Sequence, residues 1–321
     1  MRVLLLIAIA NAFNRNSIWH WITRHSPGQY SGYDPYHNIG SWYDQPQGYN
    51  PYAQPVATRD TGISRFPVPE AWKDNGRFEA QWREEAEQAK LKDPDAPMTF
   101  LNLYGTCWLV AAMQFVMALP GIGHYIWYIP EGRFRHEMRK LWSQAESGAA
   151  VASLDGLRGT LDEEFQTCTA HAVVNTLKHV IEKMHIGHDV LMVDFAIDPV
   201  LYAQRVSYIE TLLANRRYEI GYNHPHIIIS LLSSHVYTVT PMEIRVTNYF
   251  GVPKRYRLVA VSRASDTQQG VHAITHALVT SKATGEEKWY TLDNHYARLA
   301  DPAVLGYGAS NVVAYQLVDS H

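Results

Sequence analysis

"LNLYGTCWLVAAMQFV", residues 101–116, holds one of only two cysteines in a chain of 321 residues, and holds it in an unusual place. Cys107 follows a small-residue turn and opens a long apolar run, whereas a cysteine kept for packing belongs inside such a run. Gly105 supplies the turn, because it reaches backbone angles that side chains disfavour. "WLVAAMQFVMAL" (108–119) then reads as a helix buried on nearly every side and stopped by Pro120. Cys107 is therefore predicted at the first turn of a central helix, its sulfur at the surface of the core. Unpaired N–H groups and the helix dipole favour negative charge there, and the thiolate is the nucleophilic form of cysteine. The competing reading of Cys107 is a small buried hydrophobe.

A thiolate nucleophile needs a base, and the base needs a group to orient it. "HAITHALVTSKATGEEKWYTLDN" (272–294) reads as a β-hairpin with its turn in "KATGE". His272 and His276 lie on the first strand with the same parity, so both face one side of the sheet, and Asp293 lies on the second. With the turn centred near Thr284 or Gly285, His276 falls almost opposite Asp293. Opposed side chains have Cβ atoms roughly 5 Å apart, close enough for a carboxylate to hold an imidazole. His276 is thus the expected base. His272, four positions further along, is the alternative.

The rest of the chain frames this pair of segments. At 46% hydrophobic and 18% charged, the composition supplies a sizeable core. Lys+Arg (28) nearly balances Asp+Glu (31) without a basic run, so nucleic acid is not an expected partner. Two cysteines build neither a disulfide framework nor a four-thiolate zinc site. "HIGHD" (185–189) and "HPH" (224–226) lack a partner motif with ligand spacing, so neither a metal nor another cofactor is expected. Residues 1–12, "MRVLLLIAIANA", have the look of a secretory signal; an apolar strand gives the same pattern. Residues 13–62 are rich in Tyr, Gly, Pro, Gln and Asn and poor in aliphatic side chains, a composition expected to stay disordered. Tyr30, Tyr33, Tyr36 and Tyr49 are candidate weak association points in it. Residues 63–96 form a charged linker with a helix near Glu79–Lys90, and the catalytic domain is expected over 97–321. No further stretch has the length and apolarity for stable membrane insertion.

Within that domain, the spacing of Ala170, Val173, Val174, Leu177, Val180, Ile181 and Met184 predicts a helix. Thr167 or Thr169 is placed to cap it and Gly187 to end it. A weaker helix is expected around Val200–Asn215. From His226 onward short β-rich segments follow, among them "HVYTVT", "MEIRVTNYF", "RYRLVAVSR" and "NVVAYQLV". The expected class is α+β, with a helical part followed by an antiparallel sheet. Trp108 and Trp289 read as core before they read as substrate contacts. Cys168, without a base in a hairpin relation to it, reads as inert packing.

Taken together, these boxes resemble the ubiquitin-specific protease family, papain-fold cysteine proteases that remove ubiquitin. The opening stretch is similar to that family's Asn-Leu-Gly-Asn-Thr-Cys-Tyr-Met-Asn-Ser box with a later Leu-Gln, matched through Asn102, Leu103, Thr106, Cys107 and Gln114. "YRLVAVSRAS" resembles its Tyr-x-Leu-x-Ala-Val strand through Tyr256, Leu258, Ala260 and Val261. Trp289, Tyr290, Leu292 and Asp293 match the Trp-Tyr-x-Phe-Asp-Asp that follows the base, and the spacing from His276 to Asp293 is of the family's kind. "QTCTAHAVVNTL" is faintly similar to a helix opening with Gln-Gln-Asp-Ala, through Gln166 and Ala170. The likeness runs from about Thr99 to Val318 with a thin middle.

The resemblance implies a papain-like fold and a thiol-dependent hydrolase, acting on ubiquitin or ubiquitin-like conjugates as a monomer in the cytoplasm or nucleus. A secreted protein is the alternative if residues 1–12 act as a signal. It implies Cys107 as nucleophile, His276 as base, Asp293 as orienting group and Asn102 as an oxyanion donor; Asn294 matches the family's second carboxylate or is a strand-end turn residue. Departures are informative. The Gly-Gly-His-Tyr of the family becomes Ile274-Thr275-His276-Ala277, whereas "GVHAI" keeps a glycine two positions before His272. Gly and Asn ahead of Thr-Cys become Tyr104 and Gly105, and no Cys-x-x-Cys pairs exist for a zinc-bearing fingers subdomain. A viral-type papain-like protease and a ubiquitin-binding module without turnover are the competing functions.

Overall fold

The computed structural model describes residues 75–103, 105–166, 172–195, 209, 213, 224–231, 240–267, 270–305 and 310–318. The apolar run after the cysteine is helix α2 (Cys107–Met117), and every side chain from Trp108 to Val116 is buried. That explains why the run has no polar stripe. Helix α7 (Val173–Met184) packs on one side of it and the sheet on another. Gly121, at φ +78°, starts the turn into α3 (Ile122–Tyr128), which leaves α2 at a bend of 102°. Helices α4 (Arg133–Glu146), α5 (Asp155–Arg158) and α6 (Glu163–Gln166) follow. In α7, Val173, Leu177, Val180, Ile181 and Met184 are buried at the spacing of one helical face. The helix ends on His185, at φ +57°, two residues before the expected Gly187. Its expected caps Thr167 and Thr169, together with Cys168 and Ala170, lie outside the described residues.

Helix α1 (Asn75–Lys92) contains the helix expected near Glu79–Lys90 and is longer than the sequence suggests. Ala86, with the partly buried Trp82, packs on Leu101, Leu103 and Val151. Its exit is fastened to the sheet: the Tyr290 hydroxyl donates to Asp93 at 2.9 Å and the Ser281 hydroxyl to Asp95 at 2.7 Å. Ala96 is buried among Ala277, Tyr290 and Leu292.

Two short strands, β1 (Thr99–Phe100) and β2 (Val151–Ala152), pair in parallel. The main sheet contains β3 (Val190–Phe195), β4 (His226–Leu231), β5 (Glu243–Thr247), β6 (Pro253–Thr267), β7 (Gly270–Thr280), β8 (Glu287–Asp293), β9 (Tyr296–Leu299) and β10 (Ser310–Val318). The order is β3-β4-β10-β6-β7-β8-β9, with β5 sharing the β7 edge of β6. It is a mixed sheet, because β3 and β4 run parallel; the expected all-antiparallel sheet is corrected at that edge. Helix α8 (Pro302–Leu305) links β9 to β10.

Both faces of the sheet are covered, which is why β10 reads as a nearly unbroken apolar run. Val312 and Ala314 face the core shared with α2 and α7, together with Val259, Ala260 and Ala273. Val313 and Tyr315 face a second core with Ile227, Ile229, Tyr256, Leu258 and Trp289. Ile209 and Leu213, the two described residues of the expected helix 200–215, are buried there as well. The rest of that helix, nearly all of "HVYTVT" and residues 1–74 lie outside the described residues. Among the described residues no single helix is long and apolar enough to cross a membrane.

Candidate active site

The hairpin pivots between Ala283 and Thr284, where Gly285 takes φ +73°, and Thr280 pairs with Glu287. This is one position earlier than the sequence suggests. One position in the pivot moves the partner of a strand residue by two. His276 therefore lies opposite Thr291, not Asp293. Pairing between β7 and β8 stops at Thr275↔Leu292, while β7 stays paired with β6 as far as Gly270. Asn294, at φ +50°, turns the chain back into β9 directly after Asp293. Among the described residues the first half of β7 thus has one edge without a strand partner, and His272 stands on it.

His272 and Asp293 meet in that opening. Nε2 of the imidazole is 2.6 Å from Oδ1 of the carboxylate, and both side chains are partly exposed. Hydrogen bonds from Asp293 and then from Cys107 raise the His272 pKa to about 10, against a smaller opposing effect of burial. The same contact, led by the His272 hydrogen bond, lowers the pKa of Asp293. Opposite charges within hydrogen-bond reach each favour the other's ionised form. Cys107 is partly exposed at the first residue of α2. The structure brings together Cys107, His272 and Asp293, the last two of them in direct hydrogen-bond contact.

His276 has the opposite environment. It is buried, its Nδ1 is 3.0 Å from the Thr291 hydroxyl, and Nε2 has no partner among the described residues. Burial, then the positive charges of Arg263 and Arg298, push its pKa down to about 4. Its hydrogen bond goes to Thr291 rather than to the carboxylate. The expected pairing of His276 with Asp293 is corrected by the hairpin register.

Two contacts tie the cysteine helix to this strand pair. The Thr275 hydroxyl donates to the Ala111 carbonyl at 2.9 Å, and Gln114 Nε2 donates to the Asn294 carbonyl at 2.9 Å. Gln114 is buried and lies two turns along the helix from Cys107, so one rigid element carries the thiol and fixes the turn after the carboxylate. Asn294 Nδ2 also donates to Asp293 Oδ1, at 3.2 Å. Asn102 is partly buried, and its Oδ1 accepts the Thr106 hydroxyl at 3.4 Å. Tyr104 lies outside the described residues. Trp108 and Trp289 are 2% and 6% exposed and belong to the cores. The contacts of Thr275, Thr291 and Glu85 have no signal in the sequence, since each depends on register or on the docking of a distant helix.

No protein-family model matches the sequence, and no curated protein matches it. Solved structures do resemble the fold. The SAGA DUB module of Ubp8, Sgf11, Sus1 and Sgf73 bound to monoubiquitin matches with a TM-score of 0.55 at 10% identity, over 70% of this chain and 69% of that one. The same module bound to ubiquitin aldehyde gives 0.53 at 10% identity, over 70% of each chain. A further structure of the module gives 0.51 at 11% identity, over 70% of this chain and 68% of that one. At such identities the likeness is one of fold. The chain has an α+β fold similar to that of the SAGA Ubp8 deubiquitinase module.

Proposed function

We propose that this chain is a thiol-dependent hydrolase that cleaves the peptide or isopeptide bond after the C-terminus of ubiquitin or a ubiquitin-like modifier. The observation that carries this reading is the hydrogen-bonded set of Cys107, His272 and Asp293, on a fold similar to ubiquitin-bound deubiquitinase structures. Cys107 is the nucleophile and His272 the acid–base residue. Asp293 holds Nε2, which leaves Nδ1 for the sulfur and fixes the ring's orientation. With its pKa raised to about 10, the ring is an imidazolium at neutral pH, the partner a thiolate requires.

The thiolate attacks the carbonyl carbon, and the imidazolium delivers its proton to the departing amine, leaving a thioester and a neutral ring. Acylation removes the sulfur's hydrogen bond, one cause of the raised pKa, so the ring is better placed to take a proton from the attacking water. The Cys107 N–H, at the first turn of α2, and the Asn102 amide are the donors for the carbonyl oxygen. One such donor is worth about 3–4 kcal/mol of barrier.

The test is labelling by ubiquitin, and separately by related modifiers, bearing a C-terminal electrophile. A covalent adduct that disappears in Cys107→Ala supports the reading. Binding without an adduct would make the chain a ubiquitin-binding module without turnover. Neither adduct nor binding with any modifier would overturn the proposal.

A further inference from the structure

The turn that carries Asp293 is short, and the strand beyond it does little to hold it. Of the four residues of β9, Tyr296, Arg298 and Leu299 are exposed. A two-residue turn ending in so open a strand would not by itself fix a carboxylate to the tolerance acid–base chemistry needs, where a 1 Å misplacement can cost about a hundredfold. The grip comes from outside the hairpin. The His295 carbonyl accepts the Thr99 hydroxyl at 3.1 Å, and the Asn294 carbonyl accepts the Phe100 N–H at 3.3 Å.

Helix α1 adds the side-chain part of that grip. Glu85 Oε2 accepts the Tyr296 hydroxyl at 2.6 Å and His295 Nε2 at 3.2 Å. Its other oxygen accepts Gln81 Nε2 at 2.8 Å, so the carboxylate is fixed from its own helix. Trp82, one turn earlier, stacks on His295 with ring centroids 5.1 Å apart and planes 21° from parallel. The Tyr296 ring lies beside the same imidazole, with centroids 3.9 Å apart, and His295 is only 6% exposed although it sits in a turn.

We propose that α1 is a strap for the catalytic carboxylate, with Glu85 as the positioning residue that fixes the His295–Tyr296 turn and, through it, Asp293 against His272. The proposal rests on the reading of Cys107, His272 and Asp293 as the catalytic set. It differs from a purely structural role for the helix. Ala86 and Trp82 supply the apolar contact with Leu101, Leu103 and Val151, whereas among the described residues the Glu85 carboxylate is hydrogen-bonded to its own helix and to the turn. Removing that carboxylate leaves the buried apolar face in place and releases the turn.

The experiment uses the full chain with 15N-labelled histidine rings. The His272 titration is assigned with His272→Gln, and turnover is followed on ubiquitin bearing a C-terminal fluorogenic amide. Glu85→Ala is expected to lower the His272 midpoint and to reduce kcat by about tenfold with KM within about twofold, since orientation rather than binding is lost. Glu85→Gln, which keeps an acceptor oxygen, recovers most of the loss. Tyr296→Phe removes one hydroxyl from a half-exposed ring and keeps the fold should Glu85→Ala fail to; it moves both readouts the same way, kcat by about threefold. Glu79→Ala, on the same helix but bonded to Arg83, leaves both unchanged. An unmoved His272 midpoint in both Glu85→Ala and Tyr296→Phe overturns the strap, whether or not kcat falls. If the unaltered chain fails to cleave or become labelled by ubiquitin, the proposed function falls while the titration still decides the strap.

Discussion

Two histidines stand four residues apart on one strand, on the same face, and their ionisation has been driven in opposite directions. His272 occupies the end of β7 that β8 has left, meets a carboxylate and a thiol in partly solvated space, and has its pKa raised to about 10. His276 occupies the paired middle, where Thr291 is its neighbour and two arginines lie near, and its pKa is pushed to about 4. Parity along the strand is shared; what differs is the cross-strand partner and the presence of an open edge. A base needs solvent access and a counter-charge, and a sheet offers both only where its pairing ends.

Separate replacement of the two rings tests the contrast most severely. His272→Ala is expected to slow ubiquitin labelling by at least about a thousandfold, the upper part of the range for a positioned acid–base group. His276→Ala is expected to keep the rate within about threefold and to lower stability by about 1–3 kcal/mol, because it leaves a buried hydroxyl without its partner. Denaturant unfolding beside the labelling assay reads both, and a slow His276→Ala that is still folded would reverse the assignment. Asp293→Asn comes next, with an expected loss of about a hundredfold and a fall in the His272 midpoint as its largest cause is removed. Gln114→Ala should cost about tenfold in kcat, since it removes one of the two donors on the Asn294 carbonyl and loosens the turn beside Asp293.

The smallest effect is one of acid stability. The folded His276 ring has a pKa near 4, below its ordinary 6.5, so the unfolded chain takes up its proton first as pH falls. Its contribution is complete above pH 6.5 and is lost progressively toward pH 4. His276→Gln should flatten the pH dependence of stability in that window by up to about one proton's worth of slope. His226, also buried and pushed to about 4, contributes to the slope that remains, as do His179 and His295, whose pKa values burial lowers. His272 does not contribute there, because its raised pKa gives stability that is complete below 6.5 and lost only as pH rises through about 10.

Local features with a strong physical signature are legible in the amino-acid sequence itself. The all-apolar helix after Cys107, the hairpin through "KATGE" and the pairing of a histidine with Asp293 all follow from residue type and spacing. The choice between the histidines does not, because a strand's side-chain period of two makes a one-position error in the turn a two-residue error in the partner. The glycine kept before His272 is the one sequence feature that points to it. Strand β3 escapes such reading because "VLMVDF" is a short apolar run directly after a helix, which periodicity cannot assign. The docking of α1 escapes it for a different reason. Its contacts with His295 and Tyr296 span more than 200 positions, and nothing in Glu85's own neighbourhood announces them.

Strand β10 lies between β4 and β6, so the last described strand occupies an interior place in the sheet. Synthesis must therefore reach β10 before the sheet can close. Until then β4 and β6 present bare edges, and a nascent chain with such edges is an aggregation risk that favours chaperone attendance.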